Sequence, residues 1–160
     1  MNRPTLFLDF DGVMSIDDDS SSSYPTFNSV HPFKKECVDV LNSIIEITNP
    51  IIVCSSDWNL RLSIPHLNLV FQWYGVNGVI SDITPSLWKV KYKSFQDLDE
   101  CRAQEILMYV EEHGITNFVA VDDLILTQWI PDNFVLCAHP ATEGIMQSGV
   151  KNKIIDIIKK

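Results

Sequence analysis

Five apolar runs of strand length recur along the chain, at residues 5–10, 51–55, 78–81, 117–121 and 134–138, and they read as near-continuous rather than alternating. A strand with one wet face alternates apolar and polar residues, whereas a continuous run suits a strand covered on both faces, as in a parallel sheet. Helical stripes lie between the runs. Cys37, Val38, Leu41, Ile44 and Ile45 share one helical face. Ala103, Ile106, Leu107 and Val110 share another, with Gly114 as a C-terminal stop. Val150, Ile154, Ile157 and Ile158 make a third, and Lys159 and Lys160 suit the negative end of its dipole. Residues 58–81 read as one or two helices broken at Pro65, and 85–96 as a loop. Strands alternating with helices predict an α/β fold with a parallel five-stranded sheet. In such sheets ligands bind beyond the carboxyl ends of the strands.

With 160 residues, 46% of them hydrophobic, the chain can bury one core, and a single domain over residues 1–160 is expected. Nothing repeats internally, and no apolar run reaches the length of a membrane span. The start of the chain runs into Asp9 and Asp11, too short and too acidic a stretch for a signal peptide. A cytoplasmic protein without a membrane or a stable protein partner is therefore expected. Cys37, Cys54, Cys101 and Cys137 are scattered and form no zinc-type cluster, so reduced thiols are expected. A formal net charge of −9 argues against long-range attraction to nucleic acid or an anionic membrane, without excluding a local basic groove. The acidic, Ser-rich segment 17–23 reads as a solvated surface loop.

The strand ends carry the chemistry. The first run ends in Asp9-Phe10-Asp11-Gly12-Val13, two carboxylates two residues apart with a glycine to turn the chain. One aspartate can serve as a nucleophile held against a metal while the other exchanges a proton with a leaving group, the chemistry of phosphate-ester cleavage through an aspartyl-phosphate. A calcium loop is disfavoured because Val13 and Met14 occupy its fifth and sixth places; an ordinary turn is the other reading. The second run ends in Ser55-Ser56-Asp57, which suits a helix cap or a phosphate cradle equally. The fourth ends in Asp122-Asp123, adjacent carboxylates that repel unless hydrated or neutralised. Asp9, Asp11 and Asp123 would supply oxygen ligands from neighbouring strand ends, a donor set that suits Mg²⁺. A cation is also needed against the phosphoryl oxygens. Arg102 is one candidate, and Lys89, Lys91 and Lys93 are its competitors. His31, His66, His113 and His139 carry no motif.

Together these motifs resemble the haloacid dehalogenase-like (HAD) phosphohydrolase superfamily, over nearly the whole chain. The resemblance implies a three-layer Rossmann-like fold. It makes Asp9 the nucleophile and Asp11 the acid that protonates the leaving oxygen and then activates water, with the Asp11 carbonyl on Mg²⁺. Ser55 would bind a phosphoryl oxygen, with Ser56 and Gly12 also at the substrate. Asp123 would ligate the metal directly, and Asp122 through water or as a brace. Ser55-Ser56-Asp57-Trp58 and Arg102-Ala103-Gln104-Glu105-Ile106 look like the small cap-less HAD domains of RNA-repair proteins, which favours Arg102 as the basic residue in place of the commoner lysine. There is room only for a flap at 14–33 and none for a large cap. In the family an open site of that kind tends to meet a nucleotide, a nucleic-acid end or another large phosphorylated substrate. Tyr24, Phe27 and Trp58 would either stack on a base or pack locally. A mutase and a non-catalytic interaction domain are the alternatives; mutases generally need a cap, and every required acidic position is present here.

Overall fold

The computed structural model describes residues 3–16, 33–87, 98–139 and 142–160. Its strands are β1 (Thr5–Leu8), β2 (Ile51–Cys54), β3 (Ile80–Ile83), β4 (Phe118–Asp122) and β5 (Phe134–Leu136), and its helices are α1 (Lys35–Thr48), α2 (Ile64–Tyr74), α3 (Leu98–Glu112) and α4 (Val150–Ile158). All strand pairs are parallel, in the order β3-β2-β1-β4-β5. The chain therefore builds outward from β1 to β3, then crosses back to β4 and β5. Its switch point lies between β1 and β4, where an open sheet of this kind leaves a crevice at the carboxyl ends.

The continuous apolar runs are explained by helices on both faces. Leu6 and Leu8 of β1 pack with Leu41 of α1, Phe71 of α2 and Ile154 of α4 on one side. Phe7, Val53 and Ala120 face Ile106 and Tyr109 of α3, with Leu126 and Ile130, on the other. Leu41 and Ile106 are fully buried; truncating either to Ala would cost about 2–5 kcal/mol. The result is the expected α/β arrangement with a five-stranded parallel sheet.

Two local expectations shift. The third strand begins at Ile80 rather than at 78, and runs past Ser81 to the polar Asp82 and to Ile83. It lies at a sheet edge, where polar side chains can remain solvated or find partners; Asp82 accepts a hydrogen bond from the Tyr109 hydroxyl at 2.9 Å. Pro65 does not break a helix. It stands in the first turn of α2, where its missing N–H costs nothing, and the preceding Asp57–Leu60 forms a separate 3₁₀ turn. All four cysteines are buried free thiols, as expected, and burial pushes Cys54 up to about 12. No helix among the described residues is long and apolar enough to cross a membrane. Of the expected 14–33 flap, residues 17–32 lie outside the described residues, as do Lys89, Lys91, Lys93, Tyr24, Phe27 and His31.

Candidate active site

Asp9 follows β1 directly, and its N–H donates to the Val121 carbonyl of β4 at 3.0 Å. That bond ties the first acidic position to the strand that ends in Asp122. The chain then folds into a tight loop in which the N–H groups of Val13, Met14 and Ser15 all donate to the Phe10 carbonyl, at 3.2, 2.8 and 2.8 Å. Gly12 sits in this loop with φ +75°, and a Cβ there would lie 2.6 Å from Asp123 Cγ. Only glycine permits both the left-handed backbone and the close approach of that carboxylate. Ile145 braces the loop from below, donating its N–H to the Val13 carbonyl at 3.0 Å.

Asp9, Asp122 and Asp123 converge, each offering an oxygen within 4.8 Å of the others. The Asp11 carboxylate is not in this set. It is exposed, and its Oδ2 accepts from Trp58 Nε1 at 3.0 Å. Trp58 is itself buried, stacked on Phe33 at 5.4 Å and edge-on to Phe10 at 5.1 Å. Its ring packs locally and is not available to stack on a base.

Arg102, on the fifth residue of α3, reaches this cluster and is almost wholly buried. Its Nη1 lies 2.6 Å from Asp122 Oδ2 and 3.2 Å from Asp9 Oδ1, its Nη2 3.1 Å from Asp57 Oδ1, and its Nε 3.8 Å from Glu105 Oε2. Asp122 is further fixed by the Leu124 N–H, 3.0 Å from Oδ1. It is thus the most braced of the acids, while Asp123 keeps a partly open side chain, 3.4 Å from the exposed His139.

One guanidinium faces an excess of carboxylates. Burial, then the charge of Asp122, pushes the Asp9 carboxyl well up, with Arg102 opposing. Asp122 is raised by burial and held back chiefly by Arg102. Asp123 is pushed up to about 6 by burial and by Asp122. Burial by itself would lower Arg102, yet Asp122, Asp9, Asp57 and Glu105 outweigh it and hold the cation charged. A hard cation among Asp9, Asp122 and Asp123 would relieve the repulsion and favour their ionised forms. The donor set, all carboxylate oxygen, fits Mg²⁺.

Beside the acids lie hydroxyls without partners. Ser55 and Ser56 follow β2 and are about as buried as Asp9, but neither Oγ makes a hydrogen bond. Ser56 lies near enough to Asp9 to favour its ionised form without closing a full bond. Thr84, just past β3, is the third such buried hydroxyl; its N–H donates to the Cys54 carbonyl at 3.0 Å. Buried hydroxyls without a partner at strand ends are suited to an anion's oxygens.

The structure thus brings together Asp9, Arg102, Asp122 and Asp123, with Ser56 close to Asp9. Gly12 abuts Asp123, while Asp11 is held by Trp58. Asp57, Thr84 and His139 were not anticipated. Asp57 and Trp58 sit inside the Ser-Ser-Asp-Trp segment, which was the available signal; Thr84 and His139 are marked only by following strands.

A family model described as the HAD domain in Swiss Army Knife RNA repair proteins matches residues 5–146. No curated protein and no solved structure shows a significant match.

Proposed function

The chain belongs to the family of HAD domains in Swiss Army Knife RNA repair proteins, and from that premise we propose that it is a Mg²⁺-dependent phosphomonoesterase working through an aspartyl-phosphate on Asp9. A phosphohydrolase-type function is what the family supports in general. The observation that carries the finer reading is the buried Asp9, 3.2 Å from Arg102 and within 4.8 Å of Asp122 and Asp123 at the switch-point crevice.

In this reading an Asp9 oxygen attacks phosphorus while the bond to the leaving oxygen breaks, and Asp11 gives that oxygen its proton. Arg102 and the hydroxyls of Ser55 and Ser56 balance the charge spread over the outer phosphoryl oxygens. Asp11, now ionised, takes a proton from water as the water oxygen attacks phosphorus, and the bond to Asp9 breaks. Inorganic phosphate leaves, and both aspartates return to their starting states. Asp9, Asp122 and Asp123, with the Asp11 carbonyl, are the groups that would hold Mg²⁺, which when bound neutralises phosphoryl charge.

For substrate, we favour a nucleotide or a nucleic-acid end. The family's description points to RNA repair, while the net charge of −9 weighs against a long polyanion lying across the surface. The test is hydrolysis of p-nitrophenyl phosphate and of phosphorylated RNA ends, with and without Mg²⁺, by the wild type and Asp9→Asn. Metal-dependent turnover lost in a folded variant is the expected result. An Asp9→Asn protein that keeps near-normal activity would remove Asp9 from the role of nucleophile.

A further inference from the structure

We propose that Trp58 is a positioning residue for Asp11, its indole N–H holding one carboxyl oxygen so that the other is kept free for the leaving group. The inference rests on the phosphomonoesterase reading and deepens it.

Asp11 is exposed, and an exposed carboxyl samples several rotamers. Among the described residues, the one side-chain hydrogen bond that holds it is the 3.0 Å bond from Trp58 Nε1 to Oδ2. The indole cannot itself swing. It is 3% exposed and wedged against Phe10 and Phe33, with ring centroids 5.1 and 5.4 Å away. Phe10 lies between the two aspartates in sequence, so the same aromatic packing that anchors the loop also fixes the donor. An indole nitrogen donates and never accepts. Oδ2 is therefore held as the acceptor, and Oδ1 is the oxygen left free to face the leaving group. When Asp11 becomes ionised after delivery, the same N–H supports its charge without moving.

The turn that supplies Trp58 has a second arm. Asp57, its neighbour, holds Arg102 Nη2 at 3.1 Å. The two arms make different predictions, because charge on the outer phosphoryl oxygens arises with any leaving group, whereas proton delivery matters most for a poor one.

The test compares kcat for p-nitrophenyl phosphate, whose aryl oxide leaves readily, with kcat for a nucleoside monophosphate, whose alkoxide needs a proton. Three altered proteins are used: Trp58→Phe, Asp57→Asn, and one with benzothienylalanine at position 58. The last keeps the shape of the ring and lacks only the N–H, so it serves if Trp58→Phe fails to fold. Both changes at position 58 are expected to cut kcat on the alkyl ester by about ten- to a hundredfold more than on the aryl ester. Asp57→Asn is expected to cut both by the same factor. Equal losses on the two esters at position 58, or none, would overturn the positioning role and leave the phosphatase reading standing. A wild type that in Mg²⁺ turns over neither of these esters nor a phosphorylated RNA end would overturn that reading and this one with it.

Discussion

Arg102 Nη1 stands 3.2 Å from Asp9 Oδ1, with both side chains shut away from solvent. The same nitrogen lies 2.6 Å from Asp122 Oδ2, so one guanidinium counters acids from two adjacent strand ends. Removing it strands both charges. Arg102→Met is expected to lower stability by about 3–5 kcal/mol at neutral pH. The loss should shrink near pH 5, because Asp9 and Asp122, both pushed up by burial and now deprived of the cation, take up protons. Arg102→Lys keeps a charge but lacks the fork that reaches Asp122 and Asp57 together, and should fall between. Urea unfolding at the two pH values checks this; an equal loss at both would mean that the pairing carries little energy.

Asp123 gives metal-free protein a pH dependence of known sign. Its carboxyl is pushed up to about 6 in the folded chain, against an ordinary value of about 3.9. The folded state therefore holds that proton more tightly. The stability this contributes is fully present below about pH 4 and is lost as pH rises through about 6, a change on the order of 3 kcal/mol. Mg²⁺ favours the ionised acids and competes with their protons. The rise in Tm on adding Mg²⁺ to EDTA-treated protein should accordingly be larger at pH 7.5 than at pH 5. Asp123→Asn should flatten both trends; an unchanged Mg²⁺ response in that variant would take Asp123 out of the metal set.

The unpartnered hydroxyls of Ser55, Ser56 and Thr84 predict a conflict between stability and activity. Removing a buried polar group that has no partner relieves a cost of about 1–3 kcal/mol. Thr84→Val and Ser55→Ala should therefore raise Tm. Ser55→Ala should at the same time lower turnover by about tenfold or more, through loss of a donor to the phosphoryl group. Thermal melts and steady-state rates on the same preparations decide the matter, and a Ser55→Ala protein that is less stable would show that the hydroxyl is structurally bonded.

Gly12→Ala should strike the metal set without replacing a ligand. The new Cβ would press on the Asp123 carboxylate, at a backbone φ of +75° that already costs alanine about 1–2 kcal/mol. Near-UV circular dichroism of the aromatic cluster should change little, while stabilisation by Mg²⁺ falls. A variant with wild-type Mg²⁺ response would mean that Asp123 can shift and still serve.

Much of this molecule was legible beforehand because its cues are local. Val119, Ala120 and Val121 announce a strand covered on both faces, and the alternation with helical stripes leaves few topologies other than a parallel sheet. Edges were less legible. Asp82 belongs to β3 although it is charged, since an edge strand tolerates polar side chains that an inner strand would not.

The candidate site divides the same way. The types and order of Asp9, Asp11, Ser55, Arg102, Asp122 and Asp123 could be read along the chain, because strand ends in an α/β sheet are where loops must carry ligands. Their mutual roles could not. That Asp11 turns to Trp58 while Asp9 turns to Arg102, and that Asp57 braces the same guanidinium, depends on side chains 45 or more residues apart meeting in space. Which residues stand at the strand ends is a local matter, because it follows from hydrophobic runs and turns of a few residues. Which of them share a charge or a hydrogen bond is settled by packing, because buried electrostatics is set by distance and solvent exclusion, and neither is a property of the linear chain.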